Sequence, residues 1–173
     1  MYKIAVISAF ILLSMMNLAF AEYKAGMAGS PWSGAKWEET SCPQGTYAVG
    51  IRVTGTQYVE FISFQCGGSG EIINRAGLGA TDPYNLQLSR TQIVFCRGSR
   101  RLTGIKFKSG SYVDRVASIR CQNRNGGDTE FLGVGIGGTG GNDVRAYCRS
   151  GDRVTRLGGH VGRWIDHVNV YCD

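Results

Sequence analysis

The sequence predicts an all-β domain built from three similar units, and two observations lead to this prediction. The 173-residue chain contains 26 glycines, 3 prolines and only 18% charged residues. This composition suits neither a collagen, a disordered chain nor a helical bundle. The six cysteines fall into three pairs, at positions 42 and 66, 96 and 121, and 148 and 172. The nearly constant spacing of 24, 25 and 24 residues within the pairs indicates an internal repeat.

The segments that follow the first cysteine of each pair align without a gap over twenty positions. Equivalent positions hold the apolar residues Ile51, Ile105 and Leu157, the aromatic residues Tyr58, Tyr112 and Trp164, and the acids Glu60, Asp114 and Asp166. Apolar and polar residues alternate on both sides of a short polar stretch, which is typical of a β-hairpin. The hairpin turns are predicted at 54–57, 108–111 and 160–163. The middle copy then has one additional residue before its second cysteine, as a β-bulge would require.

The turn of each hairpin lies midway between the two cysteines of its copy. The cysteines are therefore expected to meet at the open end of the hairpin, where the distance across two strands suits a disulfide. This predicts the pairs Cys42–Cys66, Cys96–Cys121 and Cys148–Cys172. The sequence has no Cys-x-x-Cys pair and only two histidines, so a metal site is not expected.

The remaining segments provide the other strands of the fold. Residues 67–95 and 122–147 lie between the hairpins, residues 22–41 precede the first, and each segment is long enough for about two strands. Three four-stranded units result, one of which is completed by the N-terminal piece. Three such sheets around a shared core would form a triangular prism, and three blades are too few to close a propeller.

The first 21 residues have the layout of a secretory signal peptide. Lys3 precedes an uncharged run at 4–16, and Ala19-Phe20-Ala21 matches an A-x-A cleavage site. The apolar run is shorter than the ~20 residues that a membrane helix requires. We therefore expect a signal peptide at 1–21 and a single secreted domain at 22–173, without a transmembrane segment after cleavage. The product would be extracellular, or periplasmic in a bacterium.

Two stretches of the sequence resemble known proteins. Pro31-Trp32-Ser33-Gly34, Trp37 and the run from Cys42 to Ile51 (CPQGTYAVGI) resemble the opening of vitelline membrane outer layer protein I. Those proteins are secreted and disulfide-linked, and they have the β-prism I fold. The chain also contains Gly110-Ser111-Tyr112-Val113-Asp114, Gly162-Arg163-Trp164-Ile165-Asp166 and Gly137-Gly138-Thr139-Gly140-Gly141. These motifs resemble those of the jacalin-related lectins, which share that fold and whose sugar loop has the pattern G-x-x-x-D beside a glycine-glycine loop. The resemblance implies a β-prism I of three four-stranded Greek-key sheets.

The lectin resemblance also implies two carbohydrate-binding loops. The middle copy would contribute Gly110, Tyr112, Asp114, Gly137, Gly138, Gly140 and Gly141. The last copy would contribute Gly162, Trp164 and Asp166, beside the N-terminal loop 29–34. In this interpretation the aspartates accept hydrogen bonds from sugar hydroxyls, the glycines let the ligand approach the backbone, and the aromatic rings face a pyranose. In the alternative, the aspartates bond to their own hairpins and the rings pack beneath the turns. The first copy departs from the pattern, with Thr56 and Glu60 at the equivalent positions.

Charge and histidine placement define the remaining alternatives. Eight basic residues and one acid lie between 96 and 124, and Lys106 and Lys108 share a predicted solvent face. This stretch is either an ordinary solvated surface or an attractor of anionic polysaccharide. No motif that reads nucleic-acid sequence is present, so no specific nucleic-acid partner is expected.

His160 and His167 lack an accompanying nucleophile motif and are predicted to face solvent. Neither enzymatic activity nor a cofactor is predicted.

The sequence therefore favours a secreted carbohydrate-binding protein of lectin type. One alternative is a structural protein of an extracellular coat or matrix, as the vitelline resemblance implies. Another is the binding part of a secreted effector or toxin, with a basic face for anionic polysaccharide.

Overall fold

A computed structural model of the chain describes residues 21–31, 35–68, 72–74, 77–79 and 89–173. Residues 1–20 of the predicted signal peptide and residues 32–34 of the N-terminal loop lie outside this range. The described residues form β-strands and no helix. The strands are β1 (Tyr23–Gly29), β2 (Lys36–Ser41), β3 (Tyr47–Gly55), β4 (Val59–Gly67), β5 (Ile73–Asn74), β6 (Leu78–Gly79), β7 (Arg90–Phe95), β8 (Arg101–Ser109), β9 (Val113–Gln122), β10 (Glu130–Gly137), β11 (Asn142–Tyr147), β12 (Val154–Val161) and β13 (Ile165–Cys172).

The strands form three antiparallel sheets, each built around one of the predicted hairpins. Their strand orders are β5-β4-β3-β7, β10-β9-β8-β11 and β1-β13-β12-β2. In the first sheet the short strands β5 and β6 both pair with β4 and together fill one strand position. In the first two sheets the hairpin is flanked by the next two strands of the chain, in a Greek-key order. In the last sheet the flanking strands β1 and β2 come from the N-terminal part of the chain, which confirms the predicted three-unit architecture.

The hairpin turns begin about two residues later than the sequence predicts. Gly55, Ser109 and Val161 still pair with the opposite strand, so the turns are residues 56–58, 110–112 and 162–164. The predicted turns were placed too early because glycine and serine are typical turn residues, yet here they form the last pair of the ladder. In all three turns the first residue donates its N–H to the carbonyl of the third, at 3.0–3.2 Å.

The additional residue of the middle copy is a β-bulge, as predicted. Lys106 pairs with Ser118 and Phe107 pairs with Val116, so Ala117 has no opposite residue. This is the one irregularity in the hairpin ladder of the middle copy that the other two copies lack.

Disulfides and a shared apolar core hold the three sheets together. The structure contains the three predicted disulfides, Cys42–Cys66, Cys96–Cys121 and Cys148–Cys172. The repeat-equivalent residues Ile51, Ile105 and Leu157 each have 0% of their surface exposed. They belong to one continuous core to which all three hairpins contribute, which is the arrangement that the alignment of the copies predicts.

The prediction that His160 and His167 face solvent is wrong. His167 is only 3% exposed, because β13 is an inner strand and every residue from Ile165 to Val170 is buried. His160 is half-buried, and its Nδ1 lies 3.0 Å from the carbonyl of Ala35. The two histidine rings are 6.0 Å apart.

The burial of His167 predicts a pH-dependent stability. Burial lowers the pKa of His167 below its ordinary value of 6.5, and the nearby His160 lowers it further. The unfolded chain therefore binds this proton more readily than the folded protein, so stability falls as the pH drops through about 6.5. We expect His167→Gln to lose less stability than the wild type between about pH 8 and about pH 5. Thermal melts of both proteins at the two pH values test this, and equal losses would contradict it.

Candidate functional site

The three hairpin turns meet at one end of the prism, which we call the turn end (residues 56–58, 110–112 and 162–164). The aromatic residues of the turns are in mutual contact, with ring centroids 5.3 Å apart for Tyr58 and Tyr112, 4.8 Å for Tyr58 and Trp164, and 5.5 Å for Tyr112 and Trp164. The guanidinium carbon of Arg163 lies 5.2 Å from the centroid of the Trp164 ring. Tyr112 and Trp164 thus form a half-buried aromatic cap with Tyr58, as in the packing alternative, rather than two separate platforms.

In the middle copy, the Asp114 carboxylate lies between the hairpin turn and the glycine loop 137–141. The Gly110 N–H donates a 2.7 Å hydrogen bond to its Oδ2. A Cβ atom on Gly140 would lie 3.2 Å from Oδ1, and one on Gly141 would lie 2.5 Å from Oδ2. Gly141 also has a φ of +71°, a conformation that favours glycine. Gly140 and Gly141 are exposed and Asp114 is half-buried, so the site is a carboxylate edged by accessible backbone.

The glycine loop is attached to two different hairpins. The Gly138 N–H donates to the carbonyls of Asp114 and Gln57, each at 2.9 Å. A Cβ atom on Gly137 would lie only 2.1 Å from the Asp114 carbonyl oxygen, and this glycine has a φ of +107°. Arg115 Nη1 donates to the Gly138 carbonyl at 3.4 Å. The loop is therefore fixed before any ligand arrives.

In the last copy, the aspartate is less accessible than the aspartate of the middle copy. The Ser30 N–H bonds to the carbonyls of Asp166 and Ser111, at 3.1 and 3.2 Å, which places the start of the N-terminal loop beside the hairpin. A Cβ atom on Gly162 would lie 3.3 Å from Asp166 Oδ2. Asp166 is only 7% exposed. Residues 32–34 of the predicted N-terminal loop lie outside the described residues.

The first copy uses its acid differently. Glu60 is buried, its Oε1 accepts a 2.8 Å hydrogen bond from the Thr56 hydroxyl, and its Oε2 accepts one from the Ser89 hydroxyl. Both carboxylate oxygens therefore hold a donor of the protein itself, and the side chain links the turn to the segment before β7. This arrangement follows from Thr56, since the glycine at the equivalent position of the other copies has no hydroxyl.

The sequence does not single out several residues that build these sites, although Gly29 and Ser30 lie in the N-terminal loop 29–34 that is predicted beside the last copy. Gln57 and Ser30 anchor the loops through backbone groups, which any residue type supplies. Gly29 and Gly79 occupy places equivalent to Gly137, where a Cβ atom would lie 1.9 Å from the carbonyls of Asp166 and Glu60 respectively. These glycines lie on outer strands, where the alignment of the hairpins does not reach. A search for a glycine at the end of each outer strand would have found them.

Three carboxylates pair with four of the eight basic residues between 96 and 124. Lys106 and Lys108 lie 2.7 and 3.6 Å from the carboxylate of Asp143, and these contacts lower the pKa of Asp143. Arg100 pairs with Asp128 and Glu130, and Arg97 also pairs with Glu130. On the predicted basic face, the two charges of Lys106 and Lys108 share the single carboxylate of Asp143, so the face is partly neutralised.

The described residues show neither a metal-type cluster nor a membrane helix. Within these ranges, no three or more His, Cys, Asp or Glu side chains lie close enough to hold a metal ion. The same part of the chain has no helix of the length and apolarity needed to cross a membrane.

Comparison with known proteins identifies the fold. No family model matches the sequence, and no curated protein matches it. Single-chain recombinant jacalin is similar in structure, with a TM-score of 0.62 and 13% identity over 88% of this chain and 95% of that one. The artocarpin–mannotriose complex gives 0.60 and 13% over 87% and 97%, and wild-type Malaysian banana lectin gives 0.59 and 12% over 88% and 99%. The chain therefore has the predicted β-prism I fold, the architecture of the jacalin-related lectins.

Proposed function

We propose that the protein is a lectin that binds a carbohydrate at the turn end of the prism, between the turn of the middle copy and the glycine loop 137–141. The observation that carries this proposal is the half-buried Asp114 carboxylate beside the exposed Gly140 and Gly141. A carboxylate accepts hydrogen bonds from two neighbouring sugar hydroxyls, and backbone N–H groups of the glycine loop donate to sugar oxygens. Hydrogen bonds to a charged acceptor are stronger than those between neutral groups.

The loop contacts described above prepare this site for binding. Gly110 holds one carboxylate oxygen at 2.7 Å, and Gly138 fixes the loop through two carbonyls. Ordering the site on binding therefore costs little, which favours a shallow site with few contacts. The aromatic cap connects the three turns through its ring contacts. The site of the last copy, with Asp166 at 7% exposure, is the weaker candidate of the two.

The structural neighbours suggest the first ligands to try. The artocarpin structure contains mannotriose, and mannose-containing glycans are therefore the first probes for this chain. A glycan array with the oxidised protein, followed by titration of the best ligand, tests whether the chain binds carbohydrate. Absence of binding to any glycan on the array would contradict the proposal.

Replacing Asp114 should identify the binding loop. We expect Asp114→Asn to weaken glycan binding about tenfold or more, because a charged acceptor of hydroxyl hydrogen bonds is lost at constant side-chain size. Glu60→Gln is the matched control, since the Glu60 carboxylate is already occupied by two hydroxyl groups, and its binding should stay close to that of the wild type. Thermal melts of both variants separate binding from stability. Unchanged glycan affinity in Asp114→Asn would end the assignment of this loop.

Export is proposed together with this function. The A-x-A site ends at Ala21, and the next residue, Glu22, bonds through its carboxylate to Arg156 and Thr155. Three disulfides fit an oxidising compartment. N-terminal sequencing of the exported protein should begin at Glu22.

A structural role in an extracellular coat is the second candidate. It is favoured by the first copy, where Glu60 and Thr56 serve only internal contacts, and by the mutual packing of the aromatic cap. In that case Asp114→Asn would lower the melting temperature, and the array would show no glycan binding.

A further inference from the structure

The end of the prism opposite the turns carries a second cluster of repeat-equivalent residues. Tyr47, Arg101 and Arg153 each lie five positions after the first cysteine of their copy. They line a cavity of about 390 Å³, which we call the base cavity, together with Arg124, Gly45 and Ser99. The three arginines also line an adjoining cavity of about 280 Å³, in which Asp152 and Asp173 take part.

The positive charge of the base cavity is only partly offset. Arg153 pairs with Asp173 at 3.1 Å, and the carboxylate of Asp152 accepts a hydrogen bond from Tyr23. Within the part of the chain that the structure describes, neither Arg101 nor Arg124 forms an ion pair with an acid. This contrasts with Arg97, Arg100, Lys106 and Lys108, all of which have carboxylate partners.

Arg101 is half-buried and its hydrogen bonds are incomplete. Its Nη2 donates to the Arg124 carbonyl at 3.3 Å, while its Nε is buried without a hydrogen-bond partner. Burial lowers the pKa of Arg101, and the positive charges of Arg153 and Arg124 lower it further. An anion in the cavity would add negative charge beside these arginines, of which only Arg153 has a carboxylate partner among the described residues.

We propose that the base cavity binds a sulfate ester group of an acidic polysaccharide. Guanidinium groups present planar forks of N–H donors that match a tetrahedral oxyanion, and three of them surround this cavity. The half-buried ring of Tyr47, whose centroid lies 5.9 Å from the Arg101 guanidinium carbon, adds an aromatic surface beside the charges for the attached sugar ring. This site lies at the disulfide end of the prism and is independent of the carbohydrate site at the turn end.

The test uses a fully sulfated heparin oligosaccharide and its desulfated counterpart, with calorimetry at low salt. We expect the wild type to bind the sulfated form only, and the affinity to fall as salt is added. Arg124→Gln should weaken binding about tenfold or more, because it removes a charged donor while its main-chain carbonyl still accepts from Arg101. Arg145→Gln is the matched control. It removes the same charge from an exposed position on β11, and its affinity should stay within about twofold of the wild type.

Tyr47→Leu separates the sugar from the anion. It should weaken binding of the sulfated oligosaccharide. Inorganic sulfate should still displace the oligosaccharide at the same concentration as in the wild type. The proposal is overturned if the sulfated oligosaccharide does not bind, if the desulfated form binds equally well, or if Arg124→Gln and Arg145→Gln lose the same affinity. It is also overturned if Asp114→Asn abolishes heparin binding, since the ligand would then occupy the turn end. Arg124→Gln should still bind mannose glycans, because Arg124 does not belong to the lectin site at the turn end. This second measurement distinguishes failure of the sulfate proposal from failure of the proposed lectin function.

Discussion

The substitution Gly137→Ala is expected to destabilise the protein by about 3 kcal/mol or more and to remove glycan binding as well. The new Cβ atom would lie 2.1 Å from the Asp114 carbonyl oxygen, and the φ of +107° disfavours any residue with a side chain. Either the end of β10 or the start of β9 must move, and both elements border the candidate site. A loss of this size corresponds to a fall of roughly 6–12 °C in melting temperature for a domain of this length.

Gly133→Ala is the matched control for this substitution. Gly133 lies on the same strand, β10, and a Cβ atom there would meet no other atom within 4 Å. Its melting temperature should stay near that of the wild type, since exposed substitutions without such contacts usually change stability by less than about 0.5 kcal/mol. If Gly137→Ala and Gly133→Ala have the same melting temperature, the close approach between β10 and Asp114 is not required by the fold.

Removal of the middle disulfide is expected to have an effect of similar size. The double substitution Cys96→Ser and Cys121→Ser opens a link with a sequence separation of 25 and should cost about 3 kcal/mol through the added freedom of the unfolded chain. Both cysteines are buried, so the serine hydroxyls are also poorly solvated. Chemical denaturation of the variant and the wild type measures the difference.

The first disulfide provides the comparison for this measurement. Cys42–Cys66 has a separation of 24, so the chain-entropy effect is the same, but Cys42 is half-buried. Replacing this pair by serines should therefore destabilise the protein less than replacing Cys96 and Cys121. The reverse order of the two losses would show that burial of the cysteines does not decide the difference.

Features encoded within a hairpin were predictable from the sequence. The pairing of the cysteines, the buried positions Ile51, Ile105 and Leu157 and the bulge at Ala117 all depend on residues less than about thirty positions apart. Their signal is repeated three times, so the alignment of copies separates it from chance. The turn positions were less certain, because Gly55 and Ser109 suit both a turn and the last pair of a ladder.

Features that depend on distant strands left no pattern in the sequence. His167 is buried because β1, from the other end of the chain, covers one edge of β13. Lys106 and Lys108 share one carboxylate, that of Asp143 on the neighbouring strand β11, which offsets one of their two positive charges. In the base cavity, by contrast, Arg101 and Arg153 share a repeat position, and this signal was present in the alignment.

The way the last sheet is assembled has a consequence for how the chain folds. Tyr23 pairs with Cys172, and β2 pairs with β12, so this sheet joins segments that lie more than one hundred residues apart in the sequence. The sheets around β3–β4 and β8–β9 use contacts that are closer along the sequence and are able to form while the chain is still emerging. The first strands must meanwhile stay unpaired and available. Loop closure between such distant segments is slow, so we expect the docking of β1 and β2 against the last hairpin to be the slowest step of folding and to determine how long the unpaired strands are exposed to aggregation.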